Sequence, residues 1–242
     1  MVLNTPCVVT TTEGLQRRLE KWAIESGKDK ALSVDFTNVH IVAARHAEEQ
    51  FREETDNVDL FVSDSQVLSW AISILGGREG ERVYGPAFMA YCIENTSPRI
   101  RHYFLGGNQE CLEALLKKIG ATNDQMTIAG SRNGYFTQEE EEEIVAGIRE
   151  VNPDYLWVGL GTPKQQQFIS KWKDSLPGTV LLAVGFAFDV NAGTKKDAPG
   201  FLGPLGLTWL YRLAKEPSRL WKRYLIYNSI FLIGFVRQLI SR

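Results

Sequence analysis

The sequence predicts an α/β fold, a largely parallel sheet flanked by helices, and three observations predict it. Short apolar runs recur along the chain, stretches with helical spacing separate them, and glycine follows several of the runs directly. Parallel neighbours cannot be joined by a tight hairpin, so this alternation implies crossover connections.

Taken in order, Thr12 and Glu13 open a helix with the stripe Leu15, Leu19, Trp22 and Ala23, and Gly27 is its expected stop. A strand over 31–36 and a helix over 39–49 follow. The apolar run 59–63 is the next strand, then helices over 66–75 and 86–94. Residues 101–105 form a strand that enters Gly106 and Gly107, and 110–119 resume helical spacing. The strand 125–129 precedes a helix over 138–150, which carries the acidic run Glu139 to Glu143. Residues 155–160 run into Gly161, a helix covers 164–172, and the last strong strand, 179–184, enters Gly185. At Asp197 the texture changes to a glycine- and proline-rich hinge, then a helical stretch over 207–215, a break at Pro217 and a final basic, apolar stretch over 219–242. Two parts are therefore expected: an α/β core over 1–196 and a hinge with a basic amphipathic appendage over 197–242.

Charge follows the same division. The 242 residues carry 27 basic and 29 acidic side chains, a net of −2. Residues 195–242 hold 9 of the basic and 2 of the acidic ones. The near-zero net charge argues against a general nucleic-acid binder, and a basic tail on an acidic body suits an anionic membrane surface. No apolar stretch is long enough to span a bilayer and no secretory leader is visible, so a peripheral place on the cytoplasmic face is expected. Cys7, Cys92 and Cys111 lack CxxC spacing, and His40, His46 and His102 lack metalloprotease spacing, so neither a disulfide scaffold nor a metal site is suggested.

The residues able to do chemistry follow predicted strands, where open parallel sheets bind ligands. Thr37 and Asn38 are placed to hold sugar hydroxyls, and Asp64 to accept a proton from a hydroxyl or to cap the next helix, a task Ser65 can also perform. Gly106 and Gly107 offer backbone donors to a diphosphate or form an ordinary strand–helix turn. Asn133 and Gly134 signal a turn, beside which Tyr135 either stacks on a base or sugar or joins the core. In the stretch VGLGTPKQQQFIS, Gly161 lets backbone approach a ligand, Lys164 can neutralise phosphate and Gln165 can read a ribose, uracil or sugar edge. Asp189 binds substrate or caps a turn.

The ordered set FTNVHIVAAR, DLFVSDSQVLSWA, FLGGNQE, NGYF, PDYLWVGLGTPKQQQFI, VGFAFDVNAG and LGLTWLYRLAKEPSRLWKRY resembles the WecG/TagA/CpsF family of glycosyltransferases over nearly the whole chain. That resemblance implies a Rossmann-related glycosyltransferase fold without an obligatory metal or other cofactor. It also implies inverting transfer from a UDP-sugar to a polyprenyl diphosphate-linked sugar in surface polysaccharide or cell-wall polymer synthesis, with the C-terminal appendage facing the membrane. On motif matching, the family's base falls on Asp64, its first-loop polar pair on Thr37 and Asn38, and its appendage arginines on Arg212, Arg219 and Arg223. Four positions depart from the pattern: Ser65 where glycine is common, Gln166 and Thr208 where acids are common, and Asp197 where a basic residue is common. They bear on donor and acceptor identity. The alternative reading is a non-catalytic protein on the same fold that binds a nucleotide sugar or a membrane lipid.

Overall fold

The computed structural model of the protein describes residues 1–25, 29–76 and 81–241. The expected helix stop at Gly27 and the last residue of the terminal stretch lie outside these residues. The strands are β1 (Cys7–Val8), β2 (Leu32–Thr37), β3 (Leu60–Ser63), β4 (Arg101–Gly106), β5 (Thr127–Arg132), β6 (Tyr155–Gly159) and β7 (Val180–Ala183). The helices before β4 are α1 (Thr12–Glu25), α2 (Val39–Ala47), α3 (Glu49–Thr55), α4 (Gln66–Gly76) and α5 (Gly85–Asn95). After it come α6 (Gln109–Thr122), α7 (Glu141–Val151), α8 (Lys164–Trp172), α9 (Ala187–Ala192), α10 (Thr208–Lys215) and α11 (Pro217–Ile240). The chain divides into two compact units: a first one of Met1–Thr11, Phe36–Tyr84 and Asp197–Arg242, and a second of Thr12–Asp35 and Gly85–Lys196.

In the second unit the strand order is β2-β7-β6-β4-β5, and every pairing is parallel. Leu156, Trp157, Val158, Leu181 and Leu182 are all fully buried without alternation, as expected of strands covered on both faces. Ile144, Val145 and Ile148 of α7 and Phe168 and Ile169 of α8 pack against this stretch of sheet. Helix α7 begins at Glu141, later than the acidic run suggested, because Glu140 is used before the helix: its carboxylate accepts from the Thr137 N–H at 2.7 Å and from Arg132 at 3.1 Å. Glu141, Glu142 and Glu143 then fill the first turn, where negative charge meets the exposed N–H groups.

Glycine is demanded where β4 and β6 end side by side, with Gly106 opposite Gly159. A Cβ on Gly106 would stand 2.5 Å from the Gly159 Cα, and a Cβ on Gly159 would stand 2.4 Å from the Phe188 ring. The bare Gly106 lets the strand ends lie this close, and the bare Gly159 makes room for the Phe188 ring.

In the first unit β1 runs parallel to β3, pairing Cys7 with Phe61 and Val8 with Val62. Two residues leave no periodic signal, and β1 is the one strand the sequence did not reveal. Val42 and Ala43 of α2 and Leu68, Ala71, Ile72 and Leu75 of α4 share a core with Val2, Leu3 and Phe231 of α11. Gly234 permits the close approach of α11, since a Cβ there would lie 3.1 Å from the Leu3 side chain. The expected single helix over 39–49 is two helices: Glu48 is extended (φ −118, ψ 108), and Tyr227 of α11 donates a hydrogen bond to its carboxylate. No helix among the described residues is long and apolar enough to cross a membrane.

Replacing Gly159 with alanine should lower the unfolding free energy by about 1–3 kcal/mol, the usual range for overpacking. Urea denaturation read by circular dichroism measures it. Gly147→Ala is the control: its Cβ would meet nothing within 4 Å, so the same change should be neutral or stabilising by about 0.5–1 kcal/mol.

Candidate functional site

The first unit holds a largely apolar, partly open cavity of about 410 Å³. Asp64 stands on its wall just beyond the end of β3. The Asp64 N–H donates to the Thr37 carbonyl at 2.7 Å, which places the residue beside the end of β2. Its own carbonyl accepts from Arg82 Nε at 2.8 Å, and the Val83 N–H donates to the Ser63 carbonyl at 2.7 Å. The backbone of Asp64 is therefore held on both sides. Ser65 performs the capping task the sequence allowed it, because its Oγ accepts the Leu68 N–H at 3.3 Å.

Asn38 also lines the cavity, and its Oδ1 caps α2 by accepting from the N–H groups of His40 and Ile41 at 3.0 and 3.3 Å. Thr37 is 0% exposed, and its carbonyl is what holds the Asp64 N–H. Arg212 on α10 and Arg223 on α11 line the cavity; Arg219 does not, being exposed and bonded to Glu216. The apolar lining includes Trp70, Ile74, Trp209, Tyr224, Phe231 and Phe235.

Burial governs the electrostatics. His40 is pushed down to about 3, first by desolvation and then by the Arg223 charge, so its imidazole is neutral at neutral pH. Its Nδ1 and Arg223 Nε have no hydrogen-bond partner among the described residues. The Tyr84 hydroxyl is pushed up, by burial first and also by the Asp64 and Asp197 carboxylates, against the opposing charge of Arg212. For Arg212 desolvation works against the charged form, but Tyr84, Asp64 and Tyr224 outweigh it and hold the guanidinium ionised. Desolvation, joined by Arg219 and Arg212, lowers Arg223. A carboxylate, two guanidiniums and an apolar wall in one cavity can bind an anionic amphiphile and take a proton from it.

The remaining sequence-derived residues belong to the second unit. Gly106 and Gly107 have φ of +155 and +64, and the Gly134 N–H donates to the Gly107 carbonyl at 2.8 Å. Asn133 Oδ1 accepts the Tyr135 N–H at 3.1 Å, and its amide reaches Gln109 at 3.1 Å. Tyr135 is 77% exposed, so it is no core aromatic. Gly161 takes a positive φ of +77, and Lys164 stands exposed at the start of α8.

Gln165 departs from expectation. It is only 4% exposed, and its Oε1 accepts the Gly161 N–H at 3.2 Å, which turns the amide inward to shape the loop. Asp189 holds its own turn through Thr194 at 3.3 Å and Lys195 at 3.7 Å. Among the described residues no group of three or more His, Cys, Asp or Glu side chains could hold a metal ion.

The sequence missed Arg82 and Tyr84, which follow a polar, glycine-rich stretch with no strand or helix pattern, and gave His40 no role beyond a discounted metal ligand. His40 had one available signal, its place beside Asn38, and Arg82 and Tyr84 had none.

The family model described as "Glycosyl transferase WecG/TagA/CpsF family" matches residues 1–242. A Bacillus subtilis (strain 168) protein named N-acetylglucosaminyldiphosphoundecaprenol N-acetyl-beta-D-mannosaminyltransferase is 34% identical over 180 residues, covering 72% of this chain and 69% of its own. A protein of the same name from Bacillus spizizenii is 33% identical over 170 residues, covering 70% and 65% respectively.

The buried His40 has a consequence for stability. Its folded-state value lies below the ordinary 6.5, so the unfolded chain binds the extra proton first, and stability falls as pH drops through about 6.5 and on toward 3. Between pH 7 and pH 5 the intact protein should lose about 1–2 kcal/mol more than His40→Gln does. Urea titrations of both proteins at the two pH values check this; equal losses would show that His40 binds its proton as readily folded as unfolded.

Proposed function

We propose, on the premise that the chain belongs to the WecG/TagA/CpsF family of glycosyltransferases, that it is an inverting enzyme moving a sugar from a UDP-sugar to a polyprenyl diphosphate-linked sugar. The observation that carries this reading is the cavity in which Asp64 stands with Arg212 and Arg223 among aromatic and aliphatic side chains. An acceptor joining a sugar hydroxyl, a diphosphate and an isoprenoid tail asks for those three kinds of surface together.

In the transfer, the acceptor hydroxyl oxygen forms a bond to the donor anomeric carbon from the face opposite the diphosphate. The carbon–oxygen bond to the diphosphate breaks, its electron pair leaves with UDP, and Asp64 takes the hydroxyl proton. The glycine turns at Gly106, Gly107 and Gly134, where backbone can come close to a ligand, and Lys164 at the start of α8 are assigned to the donor's phosphates, and exposed Tyr135 to its base or sugar. Arg212 and Arg223 neutralise diphosphate charge. Asn38 retains an amide to meet a sugar hydroxyl once its Oδ1 has capped α2. The donor class is a UDP-hexose or UDP-N-acetylhexosamine, and no step requires a metal.

Residues 197–242 are assigned the membrane contact, with the protein peripheral on the cytoplasmic face. Helix α11 buries Leu220, Phe231 and Gly234, yet leaves Trp221, Leu225, Ile226, Ile233 and Ile240 exposed, with exposed Lys222 and Arg237 among them. A helix apolar on its packed side and again on its open side, with cations beside the open side, suits an anionic lipid surface. Replacing Leu225, Ile233 and Ile240 together by serine should weaken binding to phosphatidylglycerol vesicles by roughly ten-fold or more, because each loses apolar burial at the interface. Vesicle sedimentation reads it, and undiminished binding would remove α11 from the membrane contact.

For the chemistry, Asp64→Asn should keep the fold and donor affinity but slow single-turnover transfer by about 10²–10⁴, the range for a general base. Near-normal turnover would reject Asp64 as the base. Tight binding of UDP-sugar by the intact protein, without a product from any polyprenyl diphosphate sugar, would favour a binding protein over an enzyme.

A further inference from the structure

The cation that faces Asp64 sits on an element with little to hold it. Helix α10 is eight residues long, follows the glycine- and proline-rich segment, has no side-chain cap at its start and buries none of its residues. Apolar packing of α10 therefore does little to fix where Arg212 points. A polar chain reaches it instead: Arg212 Nη2 donates to the Tyr84 hydroxyl at 3.1 Å, and that hydroxyl donates to Asp197 Oδ1 at 2.6 Å. Asp197 Oδ1 also accepts the Ala198 N–H at 2.7 Å, which anchors the acid within its own turn. The Tyr84 ring is anchored as well. The Arg82 guanidinium lies over it, 4.0 Å from the centroid, and Arg82 is the residue whose Nε holds the Asp64 carbonyl. Tyr84 thus touches both the mount of Asp64 and the end of Arg212.

We infer that Tyr84 is a positioning residue, which with Asp197 aims the Arg212 guanidinium into the cavity beside Asp64. The hydroxyl suits this task because it can accept from a cation and donate to a carboxylate at once, and both bonds are charge-assisted. Asp197, one of the four departures from the family pattern, acquires a purpose: an acid here receives the phenol proton that a basic side chain could not accept. The inference rests on the proposed diphosphate-binding role of Arg212, and the experiment separates the two.

A double-mutant cycle over Tyr84→Phe and Arg212→Gln tests it, with kcat/KM for transfer and the binding of inorganic pyrophosphate by calorimetry as readouts. Tyr84→Phe keeps the ring under Arg82 and removes only the hydroxyl, and it should reduce both quantities by roughly ten-fold, as for a lost bond to a charged group. In the Arg212→Gln background the same change should cost less than about two-fold, because the residue through which it acts is gone. Asp197→Ala should resemble Tyr84→Phe, whereas Asp197→Asn, which still accepts the phenol proton, should stay near the intact protein. A purely structural Tyr84 would give additive losses, and additivity in both readouts overturns the inference. Coupling in pyrophosphate binding without any transfer would sustain Tyr84 and defeat the transferase reading. Normal transfer with additive losses would do the reverse, and an intact protein that neither binds pyrophosphate nor transfers sugar would defeat both.

Discussion

The hydrogen bond from the Asp64 N–H to the Thr37 carbonyl is the interaction on which the cavity depends. It lies where two buried strands run out, so it fixes Asp64 at the position where the chain first leaves the sheet. Strand β3 carries nothing but buried side chains, and one residue later the side chain meets a cavity wall. The change from core to site takes a single residue because the parallel ladder sets the last position of the strand. From there Arg82 secures the Asp64 carbonyl, Tyr84 lies under Arg82, and Asn38 begins α2 beside Thr37. The base proposed at Asp64 would gain from a backbone bonded on both sides, since small displacements cost rate steeply.

Charge is the second constraint. Two guanidiniums in a largely apolar cavity are costly unless other groups compensate for lost water. Arg212 meets this through Tyr84 and through the field of Asp64, which together outweigh its desolvation. Arg223 is less well served: burial and its neighbouring arginines outweigh the support of Tyr224 and weaken its charged form, and neutral His40 adds no countercharge. A cavity in this state favours an incoming anion more strongly than a fully paired one would, because the ligand supplies compensation the protein withholds.

The fold was legible in the sequence wherever burial was continuous on both faces of a strand. Runs such as Tyr155 to Val158 and Val180 to Ala183 are apolar at every position, and the glycines that end β4 and β6 mark where backbones meet. Residues 39–49 look like one helix in the sequence because the break at Glu48 is tied to Tyr227, a residue far along the chain. The same distance explains the site: Asp64 and Asn38 follow strands and carry a local signal, whereas Tyr84 and His40 derive their roles from α10 and α11, and Arg82 from its reach back to the Asp64 carbonyl. Sequence spacing also says little about side-chain direction, which is why Gln165 read as a ligand contact although its amide closes the Gly161 loop.

That distinction bears on the departures from the family pattern. Gln166 replaces an acid, which on sequence alone touches donor identity. In the fold it is 1% exposed, and its amide donates to Asp35 Oδ2 at 2.7 Å inside the second unit. Asp35 is itself buried in β2, so a second carboxylate at 166 would place like charges together in a low-dielectric core unless one were protonated. An amide removes that conflict by offering a donor. The substitution is thus bound to the strand beside it, and the identity of residue 166 reports on the buried partner at 35 before it reports on any sugar. Asp197 follows the same logic in the first unit, where the residue it must satisfy is Tyr84. Departures from a family motif near a site carry information about substrate only after the pairing each one makes within the protein has been subtracted.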